Sequence, residues 1–320
     1  MPHLGCPQNC SFCNQKRITG QVALPFEEDI EKAVQIAYSH HKDLSETEIA
    51  FFGGSFTAID KDYMLRLLKK GSELVENFSL KGIRISTRPD FIDKDILSIL
   101  KNHKVTAIEL GAQSMDDEVL FANDRGHTSE DIINASELIR ANGFELGLQM
   151  MTGLYLSNSE KDYETALKIA KIHPDTLRVY PTVVFKETRL CELFQSGEYI
   201  PQTLDEAVKT CSKIIELCEK EDIKIIRIGL HSSGELQAAI GGVNHPAFTE
   251  LCLSHLFLKN IKKRLKTKGK YIIYVNPKEV SVAIGQKKSN LLALKNLGFI
   301  VKIKENTSLK IKQYIVEEKI

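Results

Sequence analysis

The sequence predicts an α/β protein built on a parallel sheet, with a small basic α/β unit at its C-terminal end. Three observations support this. From Glu48 to about Ile228, short apolar, β-rich runs alternate with longer segments of helical periodicity; after Ser232 that rhythm lapses; and the last part of the chain is strongly basic. Alternation of this kind marks βα units, whose crossover helices make neighbouring strands run parallel.

The strand candidates are Glu48–Phe52, Gly82–Ser86, Ala107–Leu110, Leu146–Met151, Thr176–Tyr180 and Lys224–Ile228, each short and apolar. Between them lie helical stretches at Tyr63–Glu76, Asp93–Asn102, Ser129–Asn142, Tyr163–Ile172 and Leu204–Glu221, whose starts often carry Ser, Asp or Thr as caps. Periodicity alone does not separate a barrel from a doubly wound sheet. A further strand is expected ahead of Cys6, where Met1–Leu4 is available for it. After Ser232, Gly241, Gly242 and Pro246 mark a linker into a basic helix from about Ala247 to Lys266. Residues 271–305 then read as strand, short helix, turn, helix, strand, with Val280–Ile284 apolar and Ser289–Leu297 helical. The expected division is a core of residues 1–232, a linker and basic helix over 233–268, and a small basic domain over 269–320.

A chain of 320 residues is long enough for one large core and an appendage. Hydrophobic content of 42% with 27% charged residues suits a soluble globular protein, and no apolar run approaches the roughly 20 residues that span a bilayer. Met1, Pro2 and His3 open the chain without a basic segment and an apolar stretch, so no secretory signal and a reducing, cytoplasmic location are expected. The 7 cysteines are odd in number; Cys6, Cys10 and Cys13 crowd together while Cys191, Cys211, Cys218 and Cys252 are scattered, which is not a disulfide framework. Cys211 and Cys218 lie seven apart on one helix face and read as small buried hydrophobes rather than ligands of a second cluster. Formal net charge is +1, but from Lys259 to Ile320 there are 16 Lys or Arg against 4 Asp or Glu. Such asymmetry points to a polyanionic partner, although a solvated lysine-rich surface has the same composition.

Residues 6–13 read Cys-Pro-Gln-Asn-Cys-Ser-Phe-Cys and place three thiolates on one tight loop. A structural zinc site takes four protein ligands, and His3 is the only nearby candidate for a fourth. A 4Fe-4S cluster held by three cysteines leaves one iron open, and an open iron can chelate the amino and carboxylate groups of S-adenosylmethionine (SAM). Phe12, just before Cys13, would shield such a cluster. A zinc loop and a chance grouping are the alternatives.

This loop resembles that of the radical SAM superfamily, in the branch around the catalytic subunit of the Elongator complex. The resemblance covers roughly residues 3–230 and is carried by the cysteine loop through Asn14 and Gln15, Phe-Gly-Gly-Ser-Phe-Thr at 52–57, Thr-Arg-Pro-Asp at 87–90, Arg-Gly-His-Thr at 125–128 and Arg-Val-Tyr-Pro-Thr at 178–182. It implies a partial (β/α)6 TIM-type barrel with its site at the C-terminal ends of the strands, Cys6, Cys10 and Cys13 as cluster ligands, and SAM as cosubstrate. Within it, Gly53 and Gly54 resemble the motif whose backbone receives the SAM amino group, with Ser55 in the third place. Ser86, Gln113 and Gln149 fall at strand positions facing SAM, Gln149 where relatives carry an acidic residue to the ribose, and Arg125 resembles the arginine that meets the SAM carboxylate. Ser86 stands where a Glu is common, and Gly153-Leu-Tyr-Leu stands where Gly-Leu-Pro-Gly is usual. Tyr180, Lys186 and Arg189 are the candidate substrate contacts.

The segment Val-Ser-Val-Ala-Ile-Gly-Gln-Lys-Lys-Ser-Asn at 280–290 resembles a KH RNA-binding module, which clamps RNA backbone with a G-x-x-G loop. Here Lys288 stands at the second glycine, and Gly285, Lys287 and Lys288 are the candidate RNA contacts. The expected function is therefore that of a radical SAM enzyme modifying a tRNA base, with RNA and a low-potential electron donor as partners. The residues after Ser232 offer neither the length nor a CoA-binding glycine loop for the acetyltransferase step of the Elongator relative. A radical SAM enzyme for a small molecule such as a tetrapyrrole, like the oxygen-independent coproporphyrinogen oxidases, and an RNA-binding protein with a structural or redox-sensing cluster are the alternatives.

Overall fold

The computed structural model describes residues 6, 8–13, 26–230 and 238–319. The expected strand at Met1–Leu4, His3, Asn14, Gln15 and the division at 232/233 lie outside the described residues.

The strands are β1 (Glu48–Phe51), β2 (Gly82–Thr87), β3 (Val105–Gln113), β4 (Glu145–Thr152), β5 (Thr176–Pro181), a short β6 (Val183–Phe185), β7 (Lys224–Ile228), β8 (Ala239–Gly242), β9 (Gly269–Val275), β10 (Phe299–Glu305) and β11 (Tyr314–Lys319). The helices are α1 (Glu27–His40), α2 (Lys61–Asn77), α3 (Lys94–Asn102), α4 (Asp117–Ala122), α5 (Ser129–Ala141), α6 (Ser159–Ile172), α7 (Arg189–Ser196), α8 (Leu204–Lys220), α9 (Phe248–Arg264), α10 (Val280–Ile284) and α11 (Ser289–Asn296). Strands β1-β2-β3-β4-β5-β7 form one sheet in that order, every neighbouring pair parallel. Local chemistry sets the helix starts: Asp60 and Asp93 accept the N–H groups of Tyr63 and Ile96, and Thr128 and Thr203 form capping boxes with Asp131 and Glu206.

The central strands β2 and β3 are buried on both faces. Ile83 and Ile85 of β2, with Ile108 and Leu110 of β3, pack against the helix layer in the main core. The intervening Arg84 and Glu109 point the other way, into the lumen, where Arg84 donates to Glu48 at 2.7 Å and to Glu145 at 2.6 Å. Glu109 accepts from Arg178 Nε at 2.6 Å, Arg178 Nη2 at 3.1 Å and Gln149 Nε2 at 3.0 Å. The Arg178 guanidinium also lies over the Phe52 ring, 5.0 Å from its centroid. Phe52 follows β1 and Arg178 lies on β5, four strands away; in a flat sheet they would be separated by ~19 Å. The contact exists because the sheet curls into a partial barrel. Gly147 makes room for this network: a Cβ there would come within 2.6 Å of Glu109 Cγ.

The C-terminal unit follows the expected order through β10, and adds β11 beyond residue 305. Its sheet has the order β10-β9-β11, with β10 parallel and β11 antiparallel to β9. The basic helix α9 serves two cores: Phe248, Cys252 and Leu256 pack in the barrel core, while Ile261 packs with Tyr271, Ile273 and Leu294 in the C-terminal one. Cys211 and Cys218 are buried and form no disulfide, as expected of small hydrophobes, and Cys191 and Cys252 are buried too. Among the described residues no helix is long and apolar enough to cross a membrane.

Candidate active site

Because the sheet is parallel, the motif segments emerge together from the C-terminal ends of their strands: Gly53 and Gly54 after β1, Arg88 after β2, Gln113 closing β3 and Gly153 after β4. The cysteine loop lies over this edge, held by the chain on either side. Ser11 N–H donates to Asn123 O at 3.1 Å, Ser11 Oγ donates to Asn123 Oδ1 at 2.7 Å, and Ser11 O accepts from Leu190 N–H at 2.7 Å. Asn123 is fully buried and passes the constraint on, donating to the carbonyls of Val119 and Tyr155. Phe12 packs in a satellite cluster with Leu190, Cys191 and Tyr199, so it pins the loop to α7.

Within the loop Cys13 N–H donates to Cys10 O at 3.0 Å, a tight turn that keeps these two cysteines together. Among the described residues no three Cys, His, Asp or Glu side chains converge on a single ion position. A cubane cluster does not require that, since each thiolate binds a different iron. The surroundings suit an anionic group. Arg125, 5% exposed, donates from Nη1 to Cys10 Sγ at 3.2 Å and from Nη2 to Gly111 O at 2.6 Å. A Cβ on Gly111 would lie 3.1 Å from Gln113 Nε2 and 3.5 Å from Arg125 Nη2, so this glycine lets both side chains close on one point. Gln113 itself adopts a left-handed backbone, with φ of 66°. Among the described residues Gln113 Oε1, Arg125 Nε, Arg88 Nη1 and His127 Nδ1 are buried without a hydrogen-bond partner. A cluster of orphaned polar atoms at one strand edge marks a place where a polar ligand completes the bonding. The donor set, three thiols beside two guanidiniums, fits a 4Fe-4S cluster with SAM.

The other expected contacts divide. Gly53 and Gly54 are half-buried at the edge, and φ of 112° at Gly53 demands a glycine. Ser55 is buried, and its hydroxyl is occupied by Thr87 Oγ1 at 2.8 Å and Arg88 N–H at 3.2 Å, tying β1 to β2. Ser86 is half-buried on the lumen face of β2, level with Glu109. Gln149 donates to Glu109, leaving its carbonyl oxygen for a hydroxyl. Tyr180 is half-buried in the lumen beside Arg178; burial raises its pKa first, with Arg178 opposing. Lys186 is exposed. Arg189 is engaged by Asp124 Oδ2 at 2.5 Å, which ties α7 to the segment after α4 rather than presenting a free charge.

Several residues of the site carried no assigned role in the sequence. Arg88 and His127 sit inside quoted motifs, and Asp162 in a helix. Burial, then the charges of Arg125 and Arg88, brings the His127 pKa down to about 4, so it is neutral. Asp162 is buried and accepts from Gly153 N–H at 2.9 Å, Gln202 Nε2 at 2.9 Å and Ser157 Oγ at 2.5 Å. Burial outweighs these bonds and pushes its pKa up to about 6. It fixes the loop after β4, with Tyr199 Oη donating to Gly153 O at 2.6 Å. Separately, a cleft of about 860 Å³ opens off β7, bordered by Ile226, Leu230, Pro246 and Lys312; no motif residue lines it.

In the C-terminal unit Gly285, with φ of 76°, ends α10, and a Cβ there would meet Ser289 Oγ at 2.4 Å. Lys287 and Lys288 follow with φ of 52° and 62°, both exposed. Lys288 thus adopts the left-handed backbone that a second glycine would favour. Asn290, buried on α11, donates to the carbonyls of Ser254 and Val282 and locks the turn onto α9.

Comparison with known proteins agrees with this geometry. Residues 2–168 match the family model of the radical SAM superfamily, and residues 174–257 match that of the Radical_SAM C-terminal domain. The chain is 29% identical to the tRNA uridine(34) acetyltransferase of Methanocaldococcus jannaschii over 189 residues, 52% of this chain and 35% of that protein. It is 28% identical to human Elongator complex protein 3 over 247 residues, 71% of this chain and 44% of that one. The archaeal Methanocaldococcus infernus Elp3 superposes with a TM-score of 0.64 at 24% identity, covering 75% of this chain and 60% of that one. The chain therefore spans only about a third to a half of the length of these curated relatives. With a parallel partial barrel, a clamped three-cysteine loop and a family model covering more than half of its length, the chain belongs to the radical SAM superfamily of enzymes.

Proposed function

We propose that this enzyme holds a 4Fe-4S cluster on Cys6, Cys10 and Cys13, binds SAM across the C-terminal ends of β1 to β4, and modifies a base of transfer RNA. The observation that carries the first part is Arg125, a buried guanidinium that joins Cys10 Sγ to the β3 backbone beside the orphaned Gln113 Oε1. When bound, the cluster supplies the single electron that splits SAM into methionine and a 5′-deoxyadenosyl radical. The chain's own residues bind and orient. Gly53 and Gly54 bring no Cβ of their own between a ligand and the backbone, Arg125 offers its Nε–H to a carboxylate, and Gln149 offers its amide oxygen to a hydroxyl. The Glu109–Arg178 floor excludes water from below, and Tyr180 faces the same lumen.

Transfer RNA is supported by the relatives named for uridine-34 modification and by the lysine turn. Two consecutive non-glycine residues in left-handed backbone cost of order 1 kcal/mol each, and such strain gathers at functional sites. Lys287 and Lys288 would meet phosphate there, as in the KH modules that this segment resembles.

The test is anaerobic reconstitution with iron and sulfide, then dithionite and SAM, measuring 5′-deoxyadenosine for wild type and Cys10→Ala with and without bulk tRNA. Cysteine-dependent deoxyadenosine that rises with tRNA is expected. None from a cluster-loaded protein refutes the radical chemistry, and formation indifferent to tRNA turns the reading toward a small-molecule substrate. Removing both lysines should flatten the dependence of log affinity on log salt by roughly 1.4 for single-stranded RNA.

A further inference from the structure

We propose that Arg88 is a second guanidinium of the cluster site, whose buried and unpartnered Nη1–H serves the sulfurs of the bound cluster and stabilises the extra negative charge that the cluster acquires on reduction. This rests on the cluster reading above. Arg88 leaves β2 and turns inward beneath the cysteine loop, with 3% of its surface exposed. Asp90 grips one side of the guanidinium, accepting from Nε at 2.9 Å and Nη2 at 2.7 Å. That bidentate pair leaves Nη1 as the one guanidinium nitrogen without a partner among the described residues, buried. Burial opposes its charge; Asp90 and then the Cys10 and Cys6 sulfurs more than restore it, so both thiolates lie within its field. Its place beside the loop is also steric, since a Cβ on Gly126 would lie 1.9 Å from Gln8 Nε2 and 3.3 Å from Arg88 Nη2.

An arginine used only to brace the turn at Pro89–Phe91 would not need to bury an unmet donor, which costs ~1–3 kcal/mol. Arg125 already donates to Cys10 Sγ, and Gly111 O accepts from its other end. Arg88 approaches the same loop from the neighbouring strand, and its Asp90 anchor is 27% exposed at the side chain, so water weakens the anion more than the buried cation. Two guanidiniums, Arg125 and Arg88, thus stand beside the loop against the one carboxylate of Asp90. Hydrogen bonds and positive charge at cluster sulfurs favour the reduced, more negative state.

The experiment compares Arg88→Gln, Arg88→Lys and Asp90→Asn with wild type after reconstitution, using iron and sulfide content, circular dichroism and an EPR-monitored redox titration. Arg88→Gln should retain its cluster yet be about tenfold harder to reduce, a midpoint ~59 mV more negative for one electron. Arg88→Lys should recover part of the shift. Asp90→Asn should move the midpoint the other way, by roughly two- to threefold in the reduction equilibrium, because it removes a screening anion. Opposite signs for the two substitutions are the signature, since mere loosening of the turn would shift both alike. Cluster-loaded Arg88→Gln and Asp90→Asn proteins that both titrate like wild type overturn the proposal. Should Arg88→Gln fail to fold, Arg88→Lys and Asp90→Asn still decide it. A wild type that never takes up a cluster overturns the underlying reading instead, and is recognised by the iron content alone.

Discussion

Glu109 is the hub of the lumen, and replacing it by leucine puts a size on the network's worth. Its side chain is 1% exposed and accepts from Nε and Nη2 of the Arg178 guanidinium and from Gln149, with Arg84 Nη1 3.5 Å away. Arg84 keeps Glu48 and Glu145 when Glu109 is lost. Among the described residues Arg178 keeps softer partners, the Phe52 ring face and Tyr180, at a side chain 16% exposed. Removing one partner of a buried pair costs ~3–5 kcal/mol because the other charge is stranded. Water reaching Arg178 from the barrel mouth places the expected loss near the lower end, about 3 kcal/mol. The melting temperature of the apo protein followed by circular dichroism should therefore fall by roughly 4–5 °C.

The double variant Glu109→Leu/Arg178→Met removes both charges and should recover most of that loss, giving a coupling energy of about 2 kcal/mol. A single variant that loses under about 1 kcal/mol, or a double variant no better than the single, would refute the idea that the lumen is an obligate ion pair.

Other consequences follow from the buried titratable groups and the loop contacts. His127 has a pKa of about 4 in the fold against 6.5 free, so the unfolded chain binds the extra proton between those values. Stability should then fall by up to about 3 kcal/mol as pH drops from 6.5 to 4, and His127→Gln should flatten that limb in denaturant titrations. Asp162 works with the opposite sign: its pKa of about 6 exceeds 3.8, so stability present at low pH is lost as pH rises through 6. Asp162→Asn keeps an acceptor for Gly153 and Gln202, and should be about 2 kcal/mol more stable than wild type at pH 8 but not at pH 4; equal pH profiles would remove Asp162 as the cause. Gly126→Ala places a methyl group on Gln8 at a φ of 67°, and should cost ~1–2 kcal/mol in unfolding experiments and lower iron retention per chain.

What the sequence made legible follows the range of each interaction. The strands of the barrel lie within a few residues of the runs that alternate with helices, because their helix-facing residues, such as Ile83, Ile85, Ile108, Leu110, Leu146 and Leu148, leave an apolar signal. The cap residues Asp93, Thr128 and Thr203 act on N–H groups a few positions ahead, so they too are local. By contrast β6 and β8, Val183–Phe185 and Ala239–Gly242, exist only as a pair joined across more than fifty residues, and neither is long enough to be periodic. The charges at 84, 109 and 178 were each visible, but their mutual neutralisation depends on register and curl.

The lumen is linked to the cysteine loop through glycines and the side chains they admit. Gly147 admits Glu109, and Gly111 admits Arg125 and Gln113; each glycine sits on the lumen face of a strand where a Cβ would meet another residue's side chain. Arg125 in turn contacts Cys10, while Ser55 and Thr87 tie the glycine motif after β1 to the turn that carries Arg88. A side chain added at Gly111 therefore acts on the thiolate loop without touching it. Its Cβ would press on Gln113 Nε2, 3.1 Å away, and lie in ordinary contact with Arg125 Nη2 at 3.5 Å; atoms beyond Cβ would crowd the bond to Gly111 O that aims the guanidinium at Cys10. The glycines within β3 and β4 are as much a part of the site as the motif that follows β1.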